Sequence, residues 1–557
     1  MRGWLWPILI LVVLLGSWLR QGLWSEPLWV DELHTSWCAV GDCSELAERA
    51  AAGNQSPLYF GGQKVLGSWV QDWGPSLRLT SWLSGWCLIA LVMFLIYRWT
   101  KSPLAVLVSA AWVVADADSV FYSLEARPYA MLMLVSTLHV TLGFGRLSLA
   151  GFLGERPKDG QWRNNYGLRA GWVVTGGLMV HLHSTALLVL GVEGCVLGLA
   201  CVIHRWRMRD AGMETGGAKV GCVDSGIGAM IVDAGILLLL ITPLIPQLMD
   251  VGGRRNAWRE FVSGSWEQAW PLIRLGIAGV VVPGIGLVMS WAWGRLGRRW
   301  RRVDWSAVCP PRDVFVEPIR WIWLASIGTG TVLGAAVLTY SEVAPVLLIR
   351  YLVAVLPLAA LSSGLLVGSI SGPWLRLGTA VASLCFLGST DRVIQYWWET
   401  GVWPPARIEG WDECVATINS GNAEQWPVLL YPGLIEERQL TDPPDEKLVQ
   451  YLCFPLQSAY RLEGDPARLI PASPSGTPVV PFSALERLAQ SGGLWVVVRD
   501  RPDQPVILWG VLESLNQDLA AMKAQFTIDR YQFGAVHLLR VRRLGADTQA
   551  ARPPQGS

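Results

Sequence analysis

From residue 4 to residue 390 the chain is a succession of apolar blocks separated by short polar or charged stretches, and after Thr390 the blocks stop. Each block runs to roughly 17–25 residues, the helical length that crosses a bilayer core about 30 Å thick. A helix satisfies every backbone N–H and C=O internally, so it is the form such a block adopts in hydrocarbon. Only 16% of the residues are charged and 52% are hydrophobic, against about 25% charged in an ordinary soluble protein. That balance, with long charge-free runs, excludes a soluble multidomain chain. The net charge of +1 identifies no partner. The fold class expected is a polytopic α-helical membrane protein of about 11 transmembrane helices with a soluble α/β domain at the C-terminus.

The candidate spans are Trp4–Trp18, Leu79–Tyr97, Pro103–Phe121, Tyr129–Leu149, Ala170–Leu188, Leu190–Ile203, Ile227–Leu248, Pro271–Trp293, Trp321–Tyr340, Tyr351–Ile370 and Leu375–Thr390. The first follows Arg2 and resembles a signal peptide, but no clean small-x-small cleavage site follows it, so it reads as a retained anchor. Basic residues gather in four short loops: Arg98 and Lys101; Arg156, Lys158, Arg163 and Arg169; Arg205, Arg207 and Arg209; and Arg295, Arg298, Arg299, Arg301 and Arg302. Eleven spans put all four loops on one side, which the positive-inside rule makes cytoplasmic. The N-terminus is then inside. Loop 19–78, the turn Glu125–Pro128, loops 249–270 and 341–349, and the tail from Asp391 are outside. The domains expected are a membrane domain, 1–390, carrying the external loop 19–78, and an extracytoplasmic domain, 391–557. The location expected is the cell (inner or plasma) membrane.

The tail has soluble periodicity. Val428–Tyr431, Leu494–Val498, Val506–Trp509 and Ala535–Val541 read as strands, and Trp411–Ile418, Glu446–Tyr460 and Ser483–Gln490 as helices. Such alternation predicts a small α/β domain. No Gly-rich loop joins a strand to a helix, which argues against a nucleotide site; nucleic acid is not an expected partner. The last dozen residues have the composition of a disordered end. Cys38, Cys43, Cys414 and Cys453 fall in outside segments, where thiols oxidise. Cys38–Cys43 and Cys414–Cys453 are the candidate disulfides, with free buried thiols as the alternative.

Charge in or beside a bilayer is costly, so each such residue is a candidate functional group. "LWVDELHTSW" sets Asp31 and Glu32 among aromatic and aliphatic neighbours just beyond the first span. Adjacent carboxylates against an apolar surface raise each other's pKa, as a general base or a metal ligand requires; a plain surface turn is the bland alternative. "DADSVFYSLEARPYA" holds Asp116, Asp118, Glu125 and Arg127 among Phe121, Tyr122, Pro128 and Tyr129. Arg78 enters the second span on the same outer side, where snorkelling to head groups is the competing account. His181 and His183 lie in "MVHLHSTALL", and Arg350–Tyr351 opens the tenth span on the outer side. Carboxylates and guanidinium groups on one side suit a base that activates a hydroxyl while cations hold a phosphate leaving group.

These segments resemble the polyprenyl-phosphate-dependent membrane glycosyltransferases of the GT-C superfamily, of the protein mannosyltransferase and aminoarabinose transferase type. The resemblance covers about residues 1–390 and rests on "WVDELHTSW", "SPLYFGGQKVLGSW" followed by "SLRLTSWLSG", "FYSLEARPYAMLMLV", "HLHSTALL" and "IRYLVAVLPL" in that order. It implies transfer of a sugar from a polyprenyl-phosphate-linked donor to a lipid, glycan or protein hydroxyl on the external face, with inversion. The family's catalytic aspartate carries over onto Asp31 and its acidic neighbour onto Glu32. The family's arginine at the start of the second span carries over onto Arg78, near the lipid phosphate; on their own charge and outer-side placing, Arg127 or Arg350 would stabilise the departing phosphate with it. Tyr59, Asp116, Asp118, Glu125, Tyr129, His181, His183 and Tyr351 are candidate substrate-lining residues. A divalent metal is the one candidate cofactor, with Glu32 as its ligand. Many relatives have His-Pro or Pro-Pro before the Leu-Tyr step; this chain has Ser56–Pro57, which takes a histidine ligand out of that set. The alternatives are a transporter or flippase of lipid-linked sugars, for which inverted repeats would speak, and a non-catalytic membrane scaffold.

Overall fold

A computed structural model describes residues 2–21, 24, 26–149, 166–210, 217–253, 270, 273, 280–289, 292, 316–390, 395, 398–399, 409–421, 426–441, 443–475, 479–500, 505–522 and 524–544. The candidate span Pro271–Trp293, the loop 249–270 and the C-terminal dozen residues fall largely or wholly outside them. The helices are α1 (Arg2–Gln21), α2 (Val30–Val40), α3 (Leu46–Ala52), α4 (Pro57–Val70), α5 (Leu79–Thr100), α6 (Pro103–Ala115), α7 (Ala117–Tyr122), α8 (Tyr129–Leu149), α9 (Tyr166–Leu182), α10 (Ala186–Asp210), α11 (Gly217–Ile241), α12 (Ile245–Gly253), α13 (Val316–Tyr340), α14 (Leu356–Ser369) and α15 (Pro373–Thr390). The C-terminal part adds α16 (Trp411–Ser420), α17 (Glu446–Leu452), α18 (Phe482–Ser491) and α19 (Val506–Ala521). Its strands are β1 (Val428–Tyr431), β2 (Leu469–Pro471), β3 (Gly493–Arg499), β4 (Phe526–Phe533) and β5 (Val536–Arg543).

The chain is a polytopic helical membrane protein, but the expected count of eleven spans needs correction. Among the described residues four helices are long and apolar enough to cross a bilayer: Pro75–Thr100, Ala186–Ile203, Gly228–Asp250 and Ile319–Tyr340. Pro7–Arg20, Pro103–Ala115 and Val353–Ser369 are apolar but shorter. The physical reasons are local. Asp116 ends α6 and caps α7 by accepting the Ser119 N–H at 2.9 Å, so Pro103–Phe121 is broken. Ser136, Thr137, His139, Thr141 and Arg146 lower the hydropathy of α8. The break between the fifth and sixth candidate spans falls at 183–185. Large apolar side chains remain exposed on the spans, among them Phe94, Leu238, Leu239, Leu333 and Val337, a surface that lipid covers.

Charge within these helices is paired. Asp233 accepts from Arg146 at 2.6 Å and from Arg169 at 2.9 Å, tying α8, α9 and α11. His139 Nε2 lies 2.6 Å from Glu193 Oε2, both fully buried, and Trp172 Nε1 donates to Glu193 at 3.2 Å.

The chain divides into two compact units. One is Met1–Trp24, Asn54–Tyr59 and Arg78–Pro404; the other is Ser25–Gly53, Phe60–Leu77 and Pro405–Ser557. The second is built on a five-stranded sheet of order β2-β1-β3-β5-β4. β2, β1 and β3 are parallel, and β5 and β4 are antiparallel. The expected strand at Val506–Trp509 is instead the first turn of α19. Its four residues read as strand, but burial of Leu508, Val511, Leu512, Leu515 and Leu519 follows the helical period. β4 is half-exposed and carries Asp529, Arg530 and Gln532, the charged character of a protected edge strand. α2 belongs to this unit. His34 packs on Phe60, Tyr451 and Phe454 with ring centroids 5.4–5.9 Å apart.

Both candidate disulfides are absent: Cys38, Cys43, Cys414 and Cys453 are free thiols. Cys38 is buried 3.7 Å from His34 Nε2, while Cys43 is exposed beyond the helix end. Cys414 and Cys453 are buried as small apolar groups. Burial pushes both thiols up, that of Cys453 to about 12.

Candidate functional site

In the membrane unit the turn between α7 and α8 carries the charged motif inward. Ser123, Leu124, Glu125, Ala126 and Arg127 are all buried, Glu125 to 1% exposure and Arg127 to 6%. The turn is held by its own backbone, with the Arg127 N–H donating to the Glu125 carbonyl at 2.7 Å. Ser81 Oγ on α5 donates to the Arg127 carbonyl at 3.1 Å. Tyr59, at the start of α4, places its hydroxyl 3.4 Å from Thr80 Oγ1 and 3.5 Å from Ser81 Oγ.

An aromatic chain leads away from this turn. Tyr122 meets Tyr129 edge-on at 5.0 Å, Tyr129 meets His183 at 5.7 Å, and His183 meets Tyr351 at 5.6 Å. The Arg350 guanidinium lies over the Tyr351 ring, 5.1 Å from its centroid, a cation–π contact. Thr185 Oγ1 donates to the Tyr351 carbonyl at 2.7 Å and sits 2.8 Å from His183 Nδ1. Arg127 and Arg350 both act electrostatically on His183, and Asp118, Glu125 and Arg350 act on Tyr122. The structure therefore gathers Asp118, Glu125, Arg127, Tyr129, His183, Arg350 and Tyr351 into one group, in which Glu125, Arg127 and Tyr129 are buried and the others half-buried. His183 also borders a small hollow lined by Asn54, Gln55, Ser56, Ser184 and Gln247.

The remaining candidates are placed elsewhere. His181 is held between Ser56 Oγ and the Leu240 carbonyl, each at 3.1 Å. Asp116 caps α7 and is the electrostatic neighbour of Arg20. Arg78 is fully buried and donates to the Trp24 carbonyl at 2.9 Å. Arg20 was not singled out from sequence, because a charge ending an apolar helix reads as snorkelling. It is fully buried and donates to the Val113 carbonyl at 3.2 Å and Ser123 Oγ at 3.4 Å, which braces the same turn.

Asp31 and Glu32 lie in the second unit, in the first turn of α2. Negative charge there is favourable, because the first N–H groups of a helix are unpaired and its dipole is positive at that end. Glu32 is fully buried and Asp31 half-buried, so Asp31 is the more accessible carboxylate. Among the described residues no group of three or more His, Cys, Asp or Glu side chains could hold a metal ion. Glu32 and Asp31 are therefore not joined by a third such side chain among the described residues.

No protein-family model matches the chain, and no curated protein does. Among solved structures it is similar to ArnT from Cupriavidus metallidurans, in the apo state and bound to undecaprenyl phosphate. Each comparison has 13% identity and a TM-score of 0.37, over 97% of this chain and 98% of that one. A likeness of that size assigns neither site nor activity here.

Proposed function

We propose that the chain transfers a sugar from a polyprenyl-phosphate-linked donor to an acceptor hydroxyl on the extracytoplasmic face of the cell membrane. The observation that carries this reading is the placing of two guanidinium groups, buried Arg127 and half-buried Arg350, around His183, Tyr129 and Tyr351 in a membrane protein. Fixed cations in a low-dielectric setting stabilise an anion far more than they do in water. A lipid phosphate is the anion that membrane helices deliver. The motif order along residues 1–390 supports the same reading.

In the proposed step the acceptor oxygen attacks the anomeric carbon, and the bond from that carbon to the phosphate oxygen breaks. The polyprenyl phosphate leaves with the electron pair, and Asp31 takes the hydroxyl proton. A single displacement inverts the anomeric configuration. Arg127 and Arg350 hold the phosphate. The test is incubation of the purified protein in lipid vesicles with polyprenyl-phosphate sugars and hydroxyl acceptors. The expected result is free polyprenyl phosphate and glycosylated acceptor of inverted configuration. Movement of intact donor across the bilayer without cleavage would instead establish the flippase.

A further inference from the structure

Helix α2 carries Asp31 and Glu32, yet it has no cap of its own. Its N-cap residue is Trp29, which offers no side-chain acceptor. The first N–H groups of the helix must then find partners elsewhere, and burial closes off water: Leu28 is 0% and Val30 2% exposed. The partners come from the far end of the chain. Glu409 Oε2 accepts the Val30 N–H at 2.9 Å across 379 residues. Tyr460 Oη accepts the N–H of Leu28, the residue just before the N-cap, at 2.8 Å, which holds the entry to the helix.

Glu409 is itself fixed from three directions. The same Oε2 accepts from Trp411 Nε1 at 2.8 Å, and Trp411 is fully buried. Oε1 accepts from Arg499 Nε and Nη2, both at 2.8 Å, so two N–H groups of one guanidinium converge on a single carboxylate oxygen. Arg499 ends β3 and also donates to the Gly433 carbonyl at 3.1 Å. Its charge offsets that of Glu409, so a carboxylate can lie against a helix turn that already holds two. A Cβ at Gly433, where φ is +64°, would press on Arg499, so the glycine keeps that guanidinium in place.

We infer that Glu409, locked by Arg499 and seconded by Tyr460, is a positioning residue for Asp31: the sheet domain caps the helix that carries the proposed base. This rests on the functional reading above. A base displaced by about 1 Å loses on the order of 100-fold in rate without losing its substrate. The sheet domain is therefore part of the reaction site's frame.

The test uses the full chain in lipid nanodiscs, with Glu409→Gln and, as the milder variant, Tyr460→Phe. Glu409→Gln leaves one carbonyl oxygen for two sets of donors, so either Arg499 or Val30 loses its acceptor. Hydrogen–deuterium exchange should accelerate at least tenfold in the peptide spanning residues 28–34, with β1 and β3 still protected. Sugar transfer should fall 10- to 100-fold in kcat with the donor KM within twofold of wild type, and Tyr460→Phe should show both effects in smaller degree. Unchanged exchange at 28–34 in both folded variants overturns the clamp. Faster exchange there with unchanged kcat overturns the positioning role. If the wild type transfers no sugar, the functional reading fails by itself, and the exchange arm still decides whether Glu409 caps α2.

Discussion

Asp31→Asn keeps the side chain's shape and removes the base. The proposed step predicts normal membrane insertion, near-normal donor binding and turnover reduced about 100-fold or more, the scale of lost general-base catalysis; full transfer by the variant would exclude Asp31 from that role. Arg127→Ala and Arg350→Ala should act differently. Each removes a cation beside His183, so affinity for polyprenyl phosphate should drop about 10- to 100-fold, the scale of a hydrogen bond to a charged group, and lysine should restore it only in part. Equilibrium binding of a fluorescent lipid phosphate separates the two classes. Asp31, Arg127 and His183 were legible in the sequence because charge beside apolar runs is conspicuous. Glu409, Arg499 and Tyr460 were not, since in a soluble stretch such residues read as surface. Only a contact spanning 379 residues shows what Glu409 does.

β1, β3 and β5 were legible because each holds a short apolar run, Val428–Tyr431, Leu494–Val498 and Leu538–Leu539 with Val536 and Val541 around it. β4 was missed because an edge strand hides its period under charge, and α19 was misread because its first four residues favour strand until the following turns are counted. The short 3-10 turn Ile435–Gln439 after β1 has a measurable consequence. Glu437 there is 6% exposed and accepts the Gly433 N–H at 3.2 Å. Desolvation pushes its carboxyl up from 4.5 to about 7, against the pull of the Gly433 and Leu434 N–H groups and of Arg438 and Arg499. The folded chain then holds a proton that the unfolded chain has released. Stability should fall as pH rises from about 4.5 to about 7 and stay lower above it. Glu437→Gln should flatten that slope and raise stability above pH 7 by up to about 3 kcal/mol. Thermal unfolding of the detergent-solubilised full chain between pH 4 and 8 checks this; an unchanged slope would refute it. Cys414 and Cys453, buried in α16 and just past α17, should appear as free thiols in peptide mass maps of the denatured, non-reduced protein.

Across the whole molecule, hydropathy made the membrane class plain and the span count wrong, because a block's apolar length does not reveal where a buried Asp116 will end its helix. The intramembrane ion pairs were invisible for the same reason that they are tolerated: each charge is cancelled by a residue distant in sequence. Asp233→Ala strands Arg146 and should cost about 3–5 kcal/mol, read as a lowered melting temperature in detergent. The proposed orientation predicts that reporter fusions after Gly294 and after Thr390 give opposite sides; the same side for both would refute it. The sheet-bearing unit is discontinuous, beginning with Ser25–Gly53 and finishing with Pro405–Ser557. During synthesis at 5–20 residues per second, the 379 residues between Val30 and Glu409 take roughly 20–75 s to emerge. For that interval the segment bearing Asp31 is already made while its cap does not yet exist. Nascent chains interrupted anywhere before Glu409 therefore carry the acidic pair on a helix whose first turn still lacks that acceptor.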